Sequence, residues 1–159
     1  MFGDYFNKQV IIPHNVTHLT FGFHFNQQVT IPKNVTYLTL GNEFNQQVNL
    51  PNIKYIQINC SNINLIENLP NSIEEIEFGY NFNLELQNLP NSIKKISFDY
   101  NSIYDKELNC LHEFVEYFEL GKNYDKKISK FPLNLKTVKC YKNYKYIDDF
   151  KDKFDIVFL

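Results

Sequence analysis

Apolar residues return along the chain in one recurring figure, apolar-x-x-apolar-x-apolar, at Val16/Leu19/Phe21, Val35/Leu38/Leu40, Ile53/Ile56/Ile58, Ile73/Ile76/Phe78, Ile93/Ile96/Phe98, Val115/Phe118/Leu120 and Leu135/Val138/Cys140. The last apolar residues of each copy alternate with polar ones and are largely of the β-branched and aromatic types that suit a strand with one buried face. The figure therefore predicts seven short strands. An eighth copy reads Phe154/Val157/Leu159 at the C-terminus, so residues 141–159 are expected to be either a last repeat or a cap.

Punctuation confirms the period. Pro13, Pro32, Pro51, Pro70 and Pro90 recur at steps of 19 or 20 residues, and His112 occupies the slot between Pro90 and Pro132. Gly22, Gly41, Gly79 and Gly121 follow strands, and Phe6-Asn7, Phe25-Asn26, Phe44-Asn45, Ile63-Asn64 and Phe82-Asn83 supply a second apolar anchor per turn. The stretches between strands are too short, and too often broken by proline, for a helix of more than about one turn. Strands joined by such return loops must lie parallel and stack about 4.8 Å apart. Asparagine at the bend hydrogen-bonds loop amides, its own and its neighbour's, so a stacked row of Asn is expected to support the loops.

The expected fold is thus a leucine-rich-repeat-like solenoid over residues 1–159, one repeat domain of about seven to eight repeats, with one short parallel β-strand per turn, mainly β with little α-helix. No repeat could fold alone, because each buries its apolar face only against its neighbours.

The strings FNQQVTIPKNVTYLTLG and FNQQVNLPNIKYIQI resemble the FNIP repeat, and LPNSIEEIEFGYNFNLELQNLPNSIKKISFDYNSI is also similar to short LP-type leucine-rich repeats. The resemblance covers nearly the whole chain, although its proline and Phe-Asn positions fade after Asn101. It implies a protein-binding module, with the strands on a concave face. It also implies a source among AT-rich genomes of large DNA viruses and amoebae, and through them a host factor or ubiquitin-pathway partner. Many family members carry an N-terminal F-box; here the repeats begin within the first few residues, so none is expected.

Side chains alternating with the buried ones should face solvent. The first such column is His18, Tyr37, Tyr55, Glu75, Lys95, Tyr117, Thr137 and Ile156; the second is Thr20, Thr39, Gln57, Glu77, Ser97, Glu119, Lys139 and Phe158. Thr, Tyr and Lys also suit an idle sheet surface. Exposed tyrosines, however, are rigid amphipathic anchors of the kind interfaces use, so the candidate partner-binding residues are His18, Tyr37, Tyr55, Gln57, Glu75, Glu77, Lys95, Tyr117 and Glu119. Ile156 and Phe158 would stand exposed on the last strand, a candidate edge for homodimerisation.

Composition narrows the chemistry. A formal charge of −2 over 159 residues gives no global attraction to nucleic acid, and no apolar run approaches membrane-spanning length. Cys60, Cys110 and Cys140 lack metal-site spacing and suggest free thiols in a reducing cytoplasm, that of a host if the source is viral; Cys60 is expected in an exposed turn and Cys140 in the core. His14, His18, His24 and His112 fall at different repeat positions, and Cys110-x-His112 beside Glu113 has nothing to form an oxyanion hole, so no catalytic residue, metal site or cofactor is assigned. The rival reading is electrostatic. Lys122, Lys126, Lys127, Lys130, Lys136, Lys139, Lys142 and Lys145, interleaved with tyrosines, could hold a phosphate backbone, with Asp148, Asp149, Asp152 and Asp155 offsetting part of that field.

Overall fold

A computed structural model describes residues 1–159 and places eight strands in one parallel sheet, in sequence order. They are β1 (His18–Thr20), β2 (Tyr37–Leu40), β3 (Tyr55–Ile58), β4 (Glu75–Phe78), β5 (Lys95–Phe98), β6 (Tyr117–Glu119), β7 (Thr137–Cys140) and β8 (Asp155–Phe158). Each strand pairs only with its sequence neighbours, so the chain is a β-solenoid with one strand per turn. Its helix content is limited to α1 (Ile63–Glu67) and a 3-10 turn at Ile147–Asp149.

The apolar figure dictates this register. Leu19, Leu38, Ile56, Ile76, Ile96, Phe118 and Val138 pair in a single continuous column and are all buried. A second column, Phe21, Leu40, Ile58, Phe78, Phe98, Leu120 and Cys140, is buried with it. Between strands, the carbonyl of Pro13, Pro32, Pro70, Pro90 or Pro132 accepts from the amide three residues on, closing the turn that enters the strand. The carbonyl of His112 does the same for Val115, at 3.5 Å the longest of the set.

The second apolar layer is aromatic. Phe6, Phe25 and Phe44 stack at 6.0 and 6.2 Å, and after α1 the row resumes as Phe82, Tyr104, Tyr124 and Tyr144 at 6.1 to 6.2 Å. The fading of Phe-Asn beyond Asn101 is therefore a substitution of tyrosine for phenylalanine within the same row. Burial pushes these three tyrosine hydroxyls above their usual range. Tyr124 and Tyr144 donate to the carbonyls of Lys106 and Lys126, at 3.2 and 2.6 Å.

The expected asparagine row is present in the first turns: the side chain of Asn7 accepts from the Asn26 amide at 3.0 Å, and that of Asn26 from the Asn45 amide at 2.9 Å. Asn83 and Asn109 repeat the device against the amides of Asp105 and Ser129. Gly41 is required by space alone, since a Cβ there would collide with the Gly22 carbonyl of the turn before.

Three expectations need correcting. Ile63 is exposed rather than an anchor; α1, capped by the Asn62 side chain on the Leu65 amide, turns Leu65 and Ile66 inward instead. Cys60 is buried, and desolvation raises its thiol pKa. The C-terminal segment is an eighth strand in a shifted register: Ile156 pairs with Val138 and Phe158 with Cys140, which puts both in the inward columns and leaves Asp155 and Val157 outward. In the turn before β8, Phe150 is fully buried and stacks on Tyr144 at 5.2 Å. A one-residue slip exchanges the two faces of a strand, and this register spares Ile156 and Phe158 a place among the solvent-facing columns.

Candidate binding surface

Period-two alternation carries every polar strand residue to the opposite side of the sheet from the core. Strand pairing then sets His18, Tyr37, Tyr55, Glu75, Lys95, Tyr117 and Thr137 in one row, and Thr20, Thr39, Gln57, Glu77, Ser97, Glu119 and Lys139 in the next. All nine candidate residues lie on this face. At its C-terminal end Asp155 and Val157 continue the rows in place of Ile156 and Phe158.

The face divides into three parts. At the N-terminal end, ring stacks on ring: His18 lies 4.3 Å from Tyr37, and Tyr37 lies 5.6 Å from Tyr55. Tyr37 is 46% exposed, so these rings show edges and faces to solvent. In the centre, polar side chains are tied across strands. Tyr55 donates its hydroxyl to Glu77 at 2.8 Å, Gln57 donates to the same carboxylate at 2.9 Å, and Thr39 reaches Gln57 at 3.3 Å. Burial first, and then this bond to Glu77, lift the Tyr55 hydroxyl well above its usual pKa. Toward the C-terminal end, Tyr117 donates to Glu119 at 3.1 Å and Lys139 reaches the other oxygen of Glu119 at 2.9 Å. Burial and the Glu119 charge push the Tyr117 hydroxyl up to about 12. Lys95 closes the pattern, 3.2 Å from Glu75 and 5.3 Å from the centre of the Tyr117 ring.

Two features of the surface were not foreseen from sequence. Where the chain enters the strands, Lys54, Glu74, Lys94, Glu116 and Lys136 alternate in charge from turn to turn, with contacts of 2.7 Å for Lys54–Glu74 and 2.5 Å for Lys136–Glu116. Those lysines hold the two carboxyls below the usual range. The signal was legible as a sign change at each repeat. The second feature is Ser97, a small residue sunk between Glu77 and Glu119, and only 8% exposed.

The lysines of 122–145 do not form one patch. Lys136 belongs to the alternating row and Lys139 to the sheet face, while Lys126 and Lys127 approach Asp125 and Asp149 at 3.5 and 3.7 Å. Lys122 covers Tyr100, and Lys142 covers Phe158. The histidines likewise lie apart: His24 meets Glu43 at 3.0 Å, and His112 accepts the Phe114 amide at 3.3 Å through Nδ1. Cys110, an exposed residue, donates its thiol to the Leu86 carbonyl, and partial desolvation of that thiol raises its pKa, the reverse of what a nucleophile needs. No three His, Cys, Asp or Glu side chains converge as metal ligands, and no helix is long and apolar enough to cross a membrane.

Comparison with known proteins agrees with this architecture. The family model of the FNIP repeat matches residues 25–61 and 62–101. Among solved structures, CroV588, described as a novel circular LRR protein, superposes with a TM-score of 0.64 at 32% sequence identity over 89% of this chain. The chain spans 23% of the length of that protein. No curated protein matches. The chain thus carries FNIP repeats over its central turns, residues 25–101, and the same strand-per-turn stacking continues on both sides in a leucine-rich-repeat-like fold.

Proposed function

We propose that this chain is a non-catalytic recognition module that holds a protein partner on the solvent face of its sheet. The observation that carries the reading is the stacked row His18–Tyr37–Tyr55 running into the locked Tyr55–Glu77–Gln57 group. Rings and carboxylates already fixed by their neighbours lose little rotamer freedom on binding, which is the property that makes interface anchors effective. The family resemblance suggests a host factor or a ubiquitin-pathway component as partner, in a cytoplasmic setting.

The test is affinity purification with two variants in parallel. Tyr37→Ala with Tyr55→Ala should lose the partner held by the wild type, whereas Leu133→Ala, at an 81% exposed loop position, should keep it. A partner lost only by the loop variant would refute the assignment.

One observation favours self-association as a second reading. Val157, Phe158 and Leu159 are 45%, 47% and 40% exposed along β8, whose outer edge has no strand beside it. An apolar edge of this kind pairs readily with a second chain. Light scattering over a concentration series decides it: a mass that doubles in the wild type but not in Phe158→Lys supports the dimer, and a constant monomer mass removes it.

A further inference from the structure

We propose that the sheet face takes an arginine side chain of an extended partner segment, seated over Ser97 with its guanidinium on Glu77. This rests on the reading of the face as a protein-binding surface and assigns the chemistry of its centre.

The carboxylates of the face are not equivalent. Glu75 has the Lys95 ammonium at 3.2 Å, and Glu119 has the Lys139 ammonium at 2.9 Å. Glu77 is held in place by two donors, the Tyr55 hydroxyl and the Gln57 amide, and neither carries charge. Neutral donors fix the position of a carboxylate without cancelling its charge. Glu77 is thus an oriented anion, partly withdrawn from water, that needs a cation. Lys95 does not supply it, being drawn to Glu75 and to the Tyr117 ring in the other row.

Shape points the same way. Pairing sets Ser97 between Glu77 and Glu119, whose strands lie roughly 10 Å apart at two strand spacings. Serine is short and nine-tenths buried there, so the row dips between two longer acidic side chains. The Ser97 hydroxyl takes no part in the bonds that tie Tyr55 and Gln57 to Glu77, or Tyr117 and Lys139 to Glu119. A side chain entering this dip meets the Ser97 hydroxyl on its floor and a carboxylate on its wall. Rings of Tyr55 and Tyr117 stand in the neighbouring row on either side.

A guanidinium suits that set better than an ammonium. Its planar fork gives parallel N–H groups to the remaining lone pairs of Glu77 and to Ser97, and its faces stack on tyrosine. Lysine would satisfy the charge but present a single point donor. The aromatic row toward His18 then accepts apolar or aromatic neighbours of the arginine in the same segment.

The experiment is a titration of the full 159-residue chain, followed by backbone amide NMR, with three capped tripeptides: Gly-Arg-Gly, Gly-Lys-Gly and Gly-Glu-Gly. The arginine peptide should shift the Glu77, Ser97 and Glu119 amides saturably, the lysine peptide more weakly, and the glutamate peptide not at all. Glu77→Gln, which keeps the shape and removes the charge, should weaken arginine binding about tenfold or more, as loss of a charge-assisted pair implies. Ser97→Lys fills the dip with a resident cation and should abolish it. The proposal is overturned if the arginine peptide leaves these amides unmoved, if Glu77→Gln binds it as tightly as the wild type, or if the glutamate peptide shifts the same amides. Should the arginine peptide fail while Tyr37→Ala with Tyr55→Ala still loses the protein partner, the arginine assignment falls alone and recognition through the face stands.

Discussion

Single side chains do work in this fold that their neighbours one turn away cannot take over. Asn26 accepts from both the Asn45 amide and the Gln46 side chain, so Asn26→Ala strands a loop amide and should cost about 1 to 2 kcal/mol in chemical denaturation. Tyr124→Phe removes only the bond to the Lys106 carbonyl and keeps the ring in its stack, for a loss of about 1 kcal/mol. His112 gives a pH effect whose sign is fixed. Burial lowers its folded pKa below the ordinary 6.5, so the unfolded chain binds the proton more readily, and stability falls as pH drops below that value. Protonation also removes the Nδ1 lone pair that accepts the Phe114 amide. Melting curves between pH 5 and 7.5 should therefore show the wild type losing more than His112→Asn, which keeps an acceptor and does not titrate. At this scale the sequence was read well where position in the repeat decides the environment. Pairing placed Tyr37, Tyr55, Glu77 and Lys95 on the face their alternation required. Cys60, expected in an exposed turn, is buried in the segment that leads into α1, a helix the periodicity does not show.

Each strand has three or four residues, too short to persist alone, and it is held by what lies above and below. Phe82 is fully buried, stacked with Phe78 at 4.2 Å and with Tyr104 at 6.1 Å, so it joins the strand layer to the aromatic row. Phe82→Ala should cost about 3 to 5 kcal/mol, measured by urea unfolding. β8 shows the limit of pattern reading. Phe154, Ile156, Val157, Phe158 and Leu159 offer apolar residues in both alternations, so periodicity could not choose between registers. The structure pairs Ile156 with Val138 and buries Phe150 in the turn before it, packing that no spacing expresses. The helix was likewise illegible beyond its length, because Asn62 resembles the turn asparagines yet caps α1.

Across the whole molecule, strand pairing runs only from turn to turn, so stability is largely a sum over neighbours and a fault in the middle divides the array. The alternating row from Lys54 to Lys136 fits that order, since each charge has its opposite in the adjacent turn and a like charge two turns away. The account depends on adjacent residues of one strand having opposite roles, Ile76 in the shared core and Glu77 on the binding face. The direct measurement is thermal melting of Ile76→Asp beside Glu77→Lys. Ile76→Asp should lose most of the cooperative transition, as expected of an unpaired buried carboxylate, while Glu77→Lys should melt close to the wild type. Equal losses of stability in the two variants would contradict the facing of the sheet, and with it the binding surface.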